Sequence, residues 1–254
     1  MDSLVAANVV TFGDASEQTR RERLLDLFAQ CPIAEGEMLR NLGLFLVPQV
    51  LSRILFMDFL FKQILDVQGV VMEFGCRWGQ NMALFNGFRG IYEPFNRLRT
   101  IVGFDTFDGF ISTCKEDGTS MLPGMYTVTP GYEEYLGQVM GLLEQENPLP
   151  HLKKHEIVKG DAAVEIRRYL ERNPQTIVAL AYFDLDLYEP TRECLLAIRD
   201  RLTIGSVIGF DELNDGATPG ETLAVKEVLG LSHCALRRFP NNSRASYLVV
   251  DHEL

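Results

Sequence analysis

The chain has 254 residues, 46% hydrophobic and 23% charged, an ordinary globular composition with enough apolar material for one sizeable core. Its 24 Lys and Arg against 35 Asp and Glu give a formal charge of -11, and an acidic surface opposes a phosphate backbone, so no nucleic acid partner is expected. Five scattered cysteines without a C-x-x-C pair argue against a disulfide framework or a zinc site, and fit a reducing compartment.

The first residues, Met1-Asp2-Ser3-Leu4, lack the basic start and apolar core of a signal peptide. Asp14 and Glu17 read as a capping box for a helix carrying Leu24, Leu25, Leu27 and Phe28, ended by Pro32. Leu42 to Leu65 supplies further helices. Pro48, Arg53, Asp58 and Lys62 interrupt it, leaving no apolar span of ~20 residues, so no membrane partner is expected. Asp58, Lys62 and Asp66 are spaced i, i+4, i+8, which predicts a charged stripe on one helix. Residues 1–68 are therefore expected to form an N-terminal helical extension, either a lid or a contact in a homo-oligomer. Residues 69–254 would form the main domain of a cytoplasmic protein.

From Gly69 the texture changes to short apolar runs alternating with amphipathic segments. The runs are 70–74, 100–104, 156–158, 176–183 and 206–210, each β-branched or aromatic, as strands buried on both faces should be. Pro190 to Arg201, with Leu195, Leu196, Ile198 and Leu202 on one side, is a helix between two of them. Such alternation predicts a mostly parallel, doubly wound α/β sheet. Ala235 to Phe239 and Ser246 to Val250, joined by Pro240-Asn241-Asn242, predict an antiparallel hairpin at its edge.

Ligands bind beyond the carboxyl ends of strands in such a sheet. Almost every end here carries an acid: Glu73, then Asp105, Asp161, Asp184 with Asp186, and Asp211 with Glu212. A single acid could cap the next helix. A row of them implies something cationic or donating among them. Gly75 permits a tight turn after the first strand, and Gly79 a close helix–strand approach. The dinucleotide pattern G-x-G-x-x-G is absent, and a glutamate introducing two glycines suits a cofactor with an amino acid portion. Asp105 could accept both hydroxyls of a ribose or cap its loop. Asp161 could meet an exocyclic amine of adenine or cap a helix.

Glu73-x-Gly75, Gly103-Phe104-Asp105-Thr106-Phe107-Asp108-Gly109 and Phe183-Asp184-Leu185-Asp186-Leu187-Tyr188 resemble the macrocin O-methyltransferase family, over roughly Gly69 to Asp211. The resemblance implies the seven-stranded, Rossmann-like sheet of class I methyltransferases and S-adenosylmethionine as cofactor. It implies transfer of a methyl group to a sugar hydroxyl in natural-product biosynthesis. By position, Glu73, Gly75, Gly79, Asp105 and Thr106 would hold the methionine and ribose portions, and Asp161 with Ala162 the adenine. Arg77 departs from the central glycine of a D-x-G-x-G-x-G loop, and would pair with a pocket carboxylate or point to solvent.

Asp184, Asp211 and Glu212 end neighbouring strands and resemble the ligands of metal-dependent catechol-type O-methyltransferases. They are the expected site of a divalent metal, Mg²⁺ by its preference for oxygen ligands, with Asp184 in a catalytic role. A base must still remove the acceptor's proton. Of His151, His155, His233 and His252, His233 is best placed in sequence. Asp186 and Tyr188 would shape the acceptor side, and the segments Gly216 to Gly220 and Ser112 to Tyr132 could close over it. Three other readings stand beside this one: a phenolic or catechol acceptor on the same site, a nicotinamide-dependent oxidoreductase, and a non-catalytic scaffold.

Overall fold

A computed structural model describes residues 15–252. Seven strands form one sheet in the order β3-β2-β1-β4-β5-β7-β6. They are β1 (Val70–Phe74), β2 (Ile101–Asp105), β3 (His155–Lys159), β4 (Val178–Phe183), β5 (Leu202–Phe210), β6 (Arg237–Arg238) and β7 (Ser246–Val249). The first five run parallel, and β7 pairs antiparallel with β5 and with β6. This is the class I methyltransferase sheet, terminal hairpin included. The hairpin is shorter than the sequence suggests: β6 keeps two residues, both exposed arginines with little apolar area to bury.

The helices are α1 (Ala15–Ala29), α2 (Glu35–Met38), α3 (Pro48–Gln63), α4 (Gln80–Tyr92), α5 (Tyr132–Gln145), α6 (Ala162–Arg172), α7 (Tyr188–Ile198) and α8 (Gly220–Val228). Asp14, the expected cap of α1, lies outside the described residues. Pro48 starts α3, where its missing N–H has no intrahelical partner to lose. Asp66 falls beyond the end of α3, so the charged stripe reduces to Asp58 and Lys62, paired at 2.6 Å.

The sequence texture breaks at residue 69, but the core does not. Phe56, Met57, Leu60 and Phe61 of α3 are fully buried and share one cluster with Val71, Phe85, Tyr182 and Val207. Each such burial stabilises by roughly 1.5–3 kcal/mol, which seats α3 firmly across the sheet. Arg99, itself buried, donates to the carbonyls of Ile64, Val67 and Gly69 at 2.9, 2.9 and 2.6 Å and so fixes the turn from α3 into β1. By contrast α1 buries none of its residues, and Leu25, Leu27, Leu39 and Leu44 are exposed. Among the described residues no single helix is long and apolar enough to cross a membrane. The segments Glu35–Phe45 and Pro48–Gln63 reach that composition only together, across a 93° bend.

One row of side chains explains where the site must lie. Phe104, Phe74, Phe183 and Phe210 stand in register, the last residues of β1, β4 and β5 and the last but one of β2, with successive ring centroids 5.1, 4.8 and 5.5 Å apart. Strand side chains alternate between faces. The residues that follow these rings, among them Asp105, Asp184 and Asp211, are therefore thrown to the opposite face, the one that carries α3 and α4.

Candidate active site

A cavity of about 1000 Å³ opens beyond the carboxyl ends of the parallel strands, where chain order reverses between β1 and β4. Glu73, Gly75, Asp105, Thr106, Asp161, Ala162, Asp184, Asp211 and Glu212 all line it. Residues separated by more than a hundred positions thus meet on one rim. Gly79 stands behind that wall. Its φ of +72° and the Leu136 side chain, 2.3 Å from where a Cβ would be, require glycine there, so its close neighbour is α5 and not a strand. Gly75 has φ +87°, and a Cβ would lie 2.0 Å from the Asp184 carbonyl oxygen. Gly75→Ala is expected to cost more than about 1 kcal/mol of stability in chemical denaturation, because both the backbone conformation and the space exclude a side chain.

On the β1–β2 side, Glu73 is buried, accepts a hydrogen bond from Asn81 at 2.8 Å, and leaves its second oxygen without a partner. Burial pushes its carboxyl up to about 8. Asp105 accepts the backbone N–H groups of Arg77 at 2.7 Å and Phe107 at 2.6 Å, one on each oxygen. A carboxylate has about four lone-pair sites, so each oxygen keeps one for a ligand hydroxyl. Burial raises its pKa as well. The Thr106 hydroxyl closes the following turn onto the Gly109 carbonyl at 2.8 Å. Asp161 caps α6 through the Ala163 N–H at 2.9 Å while still facing the cavity.

On the β4–β5 side the arrangement departs from expectation. Arg53 of α3 reaches between Asp184 (2.9 Å) and Asp211 (2.5 Å), and the Tyr182 hydroxyl donates to Asp211 at 2.9 Å. Glu212 turns away from them to Arg244 and lies close enough to Asp186 for the two carboxyl groups to act on each other. The expected triad of Asp184, Asp211 and Glu212 is therefore not assembled, and no group of three or more His, Cys, Asp or Glu among the described residues is arranged to hold a metal ion. The residues as placed do not fit a divalent cation, because a guanidinium already fills the space between two of the three ligands. Arg53→Met is expected to bind Mg²⁺ at least tenfold more tightly than the native chain in calorimetry, since the competing internal cation is gone.

Burial and the neighbouring Asp211 push Asp184 up to about 8, against the pull of Arg53. Glu212 is pushed up to about 11 by burial and by Asp186. Asp186 is raised by burial and lowered by the hydrogen bond with Glu212. None of the four histidines lines the cavity. His233 sits in the turn after α8, and His155 is buried beside Glu144 at 3.3 Å.

Both candidate lids are packed together. Asp117 is buried and accepts from the Tyr188 N–H at 2.6 Å, and Gly118 approaches the Pro219 ring. Tyr126 from the same segment hydrogen-bonds Asp186.

Comparison with solved structures settles the family. The crystal structure of CalS11, calicheamicin methyltransferase, superposes with a TM-score of 0.91 at 43% identity, over 94% of each chain. Apo CalS11, described as a TDP-rhamnose 3'-O-methyltransferase of calicheamicin biosynthesis, gives 0.84 at 42% identity over 94% of this chain and 96% of that one. The chain belongs to the CalS11 family of class I S-adenosylmethionine-dependent methyltransferases. The O-methyltransferase NovP, at 16% identity, TM-score 0.56 and coverage of 79% and 80%, shares the fold. No protein-family model matches the chain, and no curated protein sequence does.

Sequence reasoning missed Arg53, Tyr126 and Arg244 as residues of the cavity wall. Arg53 had a signal, being a cation set among apolar residues with no acid one turn away to pair with it. Its partners lie more than 130 positions away, and no spacing rule names them.

Proposed function

We propose that this methyltransferase transfers the methyl group of S-adenosylmethionine to a hydroxyl of a nucleotide-linked deoxysugar, with Asp186 as the general base. The observation that carries the reading is the Asp186–Glu212 carboxyl pair, placed in the same cavity as Glu73 and Asp105. The acceptor class is supported by CalS11, a TDP-rhamnose 3'-O-methyltransferase. In this reading Glu73 and Asp105, with Gly75 and Thr106, face the methionine and ribose portions, and Asp161 and Ala162 the adenine. The acceptor O–H donates to Asp186, its oxygen attacks the sulfonium methyl carbon, and the C–S bond breaks to release S-adenosylhomocysteine. The proton stays on Asp186. Arg53 holds Asp184 and Asp211 as the wall of the acceptor side, and a divalent cation enters only by displacing it.

The test is incubation with isotopically labelled S-adenosylmethionine and a panel of dTDP-deoxysugars, free deoxysugars and catechols, followed by mass spectrometry. Label is expected on a nucleotide-linked sugar oxygen. Labelling of catechol alone would overturn the acceptor assignment.

A further inference from the structure

Five arginines line the cavity: Arg53, Arg77, Arg167, Arg168 and Arg244. Four of them are spent on carboxylates. Arg53 is held by Asp184 and Asp211, Arg167 by Glu193, Arg168 by Glu165, and Arg244 by Glu212 and Asp215. Arg77 is different. Among the described residues its guanidinium makes no ion pair, and it lies 5.6 Å from the Trp78 ring centroid and 5.1 Å from that of Tyr126. Its Nε is buried and has no hydrogen-bond partner. Its backbone is fixed as well, at φ +43° with its N–H on Asp105.

The cofactor supplies what this geometry lacks. The methionyl end of S-adenosylmethionine carries a carboxylate, which must leave water for a cavity already bearing Glu73, Asp105, Asp184 and Asp211. The adjacent methionyl ammonium offsets part of that cost, and a cation of the protein would offset more of it. A guanidinium over aromatic faces is restrained in plane while its edge N–H donors stay available, which suits bidentate recognition of a carboxylate. The loop that carries Arg77 joins β1 to α4, between Glu73 and Asn81. We propose that Arg77 is the counter-ion of the methionyl carboxylate. This rests on the placement of the cofactor along the β1–β2 ends given above.

The experiment is calorimetric titration of the native chain and Arg77→Met with S-adenosylmethionine and with decarboxylated S-adenosylmethionine. The second ligand keeps adenosine, sulfonium and amine but lacks the carboxylate. Arg77→Met is expected to weaken the intact cofactor about 10- to 100-fold, the loss for one charge-assisted contact, and to leave the decarboxylated ligand within threefold of native. The native chain is expected to prefer the intact cofactor by a similar factor, and Arg77→Lys to retain part of that preference. Equal weakening of both ligands would show that Arg77 only shapes the loop, and would overturn the proposal. So would an unchanged cofactor affinity with a raised acceptor KM, which would move Arg77 to the acceptor. If Arg77→Met does not fold, the native preference decides alone, and its absence overturns the proposal. Failure of both ligands to bind the native chain would instead count against the cofactor placement itself.

Discussion

Asp105→Ala is expected to weaken S-adenosylmethionine binding by about 10²- to 10⁴-fold, the combined loss of two hydrogen bonds to a charged acceptor at about 1.5–3 kcal/mol each. Asp105 ends β2 and keeps free lone pairs toward the cavity. Each oxygen already takes one backbone N–H, from Arg77 or Phe107, so the carboxylate is held rigidly and still has an acceptor site on each side. The same two bonds complicate the alanine variant, because they organise the turn, where Phe107 sits at φ +58°. Asp105→Asn separates the effects, since it preserves the shape but loses the charge and one acceptor. Calorimetry on both variants, with a thermal melt to confirm folding, is the measurement. An affinity within threefold of native for both would remove Asp105 from the cofactor site.

Asp186→Asn is expected to lower kcat by about 10²- to 10⁴-fold, the usual contribution of a positioned base, with cofactor affinity unchanged. The substitution is mild for the backbone: Asp186 lies at φ +60°, a region in which asparagine is among the residues best tolerated. It removes the charge and one acceptor, and with them the ability to take a proton. The pH profile gives a second, independent readout. A base works when ionised, so activity falls as pH drops through its folded pKa, which burial holds above the ordinary aspartate range. The native enzyme is expected to show that acid limb, and Asp186→Asn to lose it. A variant with kcat within tenfold of native and the acid limb intact would show that another group takes the proton.

The two substitutions divide the cavity. Asp105 belongs to the β1–β2 side and is expected to act on binding, whereas Asp186 belongs to the β4–β5 side and is expected to act on the chemical step. The boundary between them is the Arg53 ion pair with Asp184 and Asp211.

The sequence by itself determined the sheet and the rim. Short runs of apolar residues can be satisfied only as strands covered on both faces, and each such strand ends where its apolar run ends. The recurring Phe-Asp at 104–105, 183–184 and 210–211 therefore marks both the last core layer and the first polar one. Period-two alternation then sends those acids to a common side, which is why the place of Glu73, Asp105, Asp184 and Asp211 on one cavity rim was legible. What the tertiary structure decided was the pairing of charges. A carboxylate at a strand end looks the same in sequence whether a metal, an arginine or a second carboxyl meets it. That choice depends on which side chain a distant element carries into the gap. Helix α3 is placed by the burial of Phe56, Met57, Leu60 and Phe61, and their packing brings Arg53 onto two aspartates that were read as metal ligands. The turn after β5 sends Glu212 to Asp186 and Arg244 instead. Local periodicity fixes which face a residue takes. The counter-charge comes from long-range packing, which no local pattern encodes.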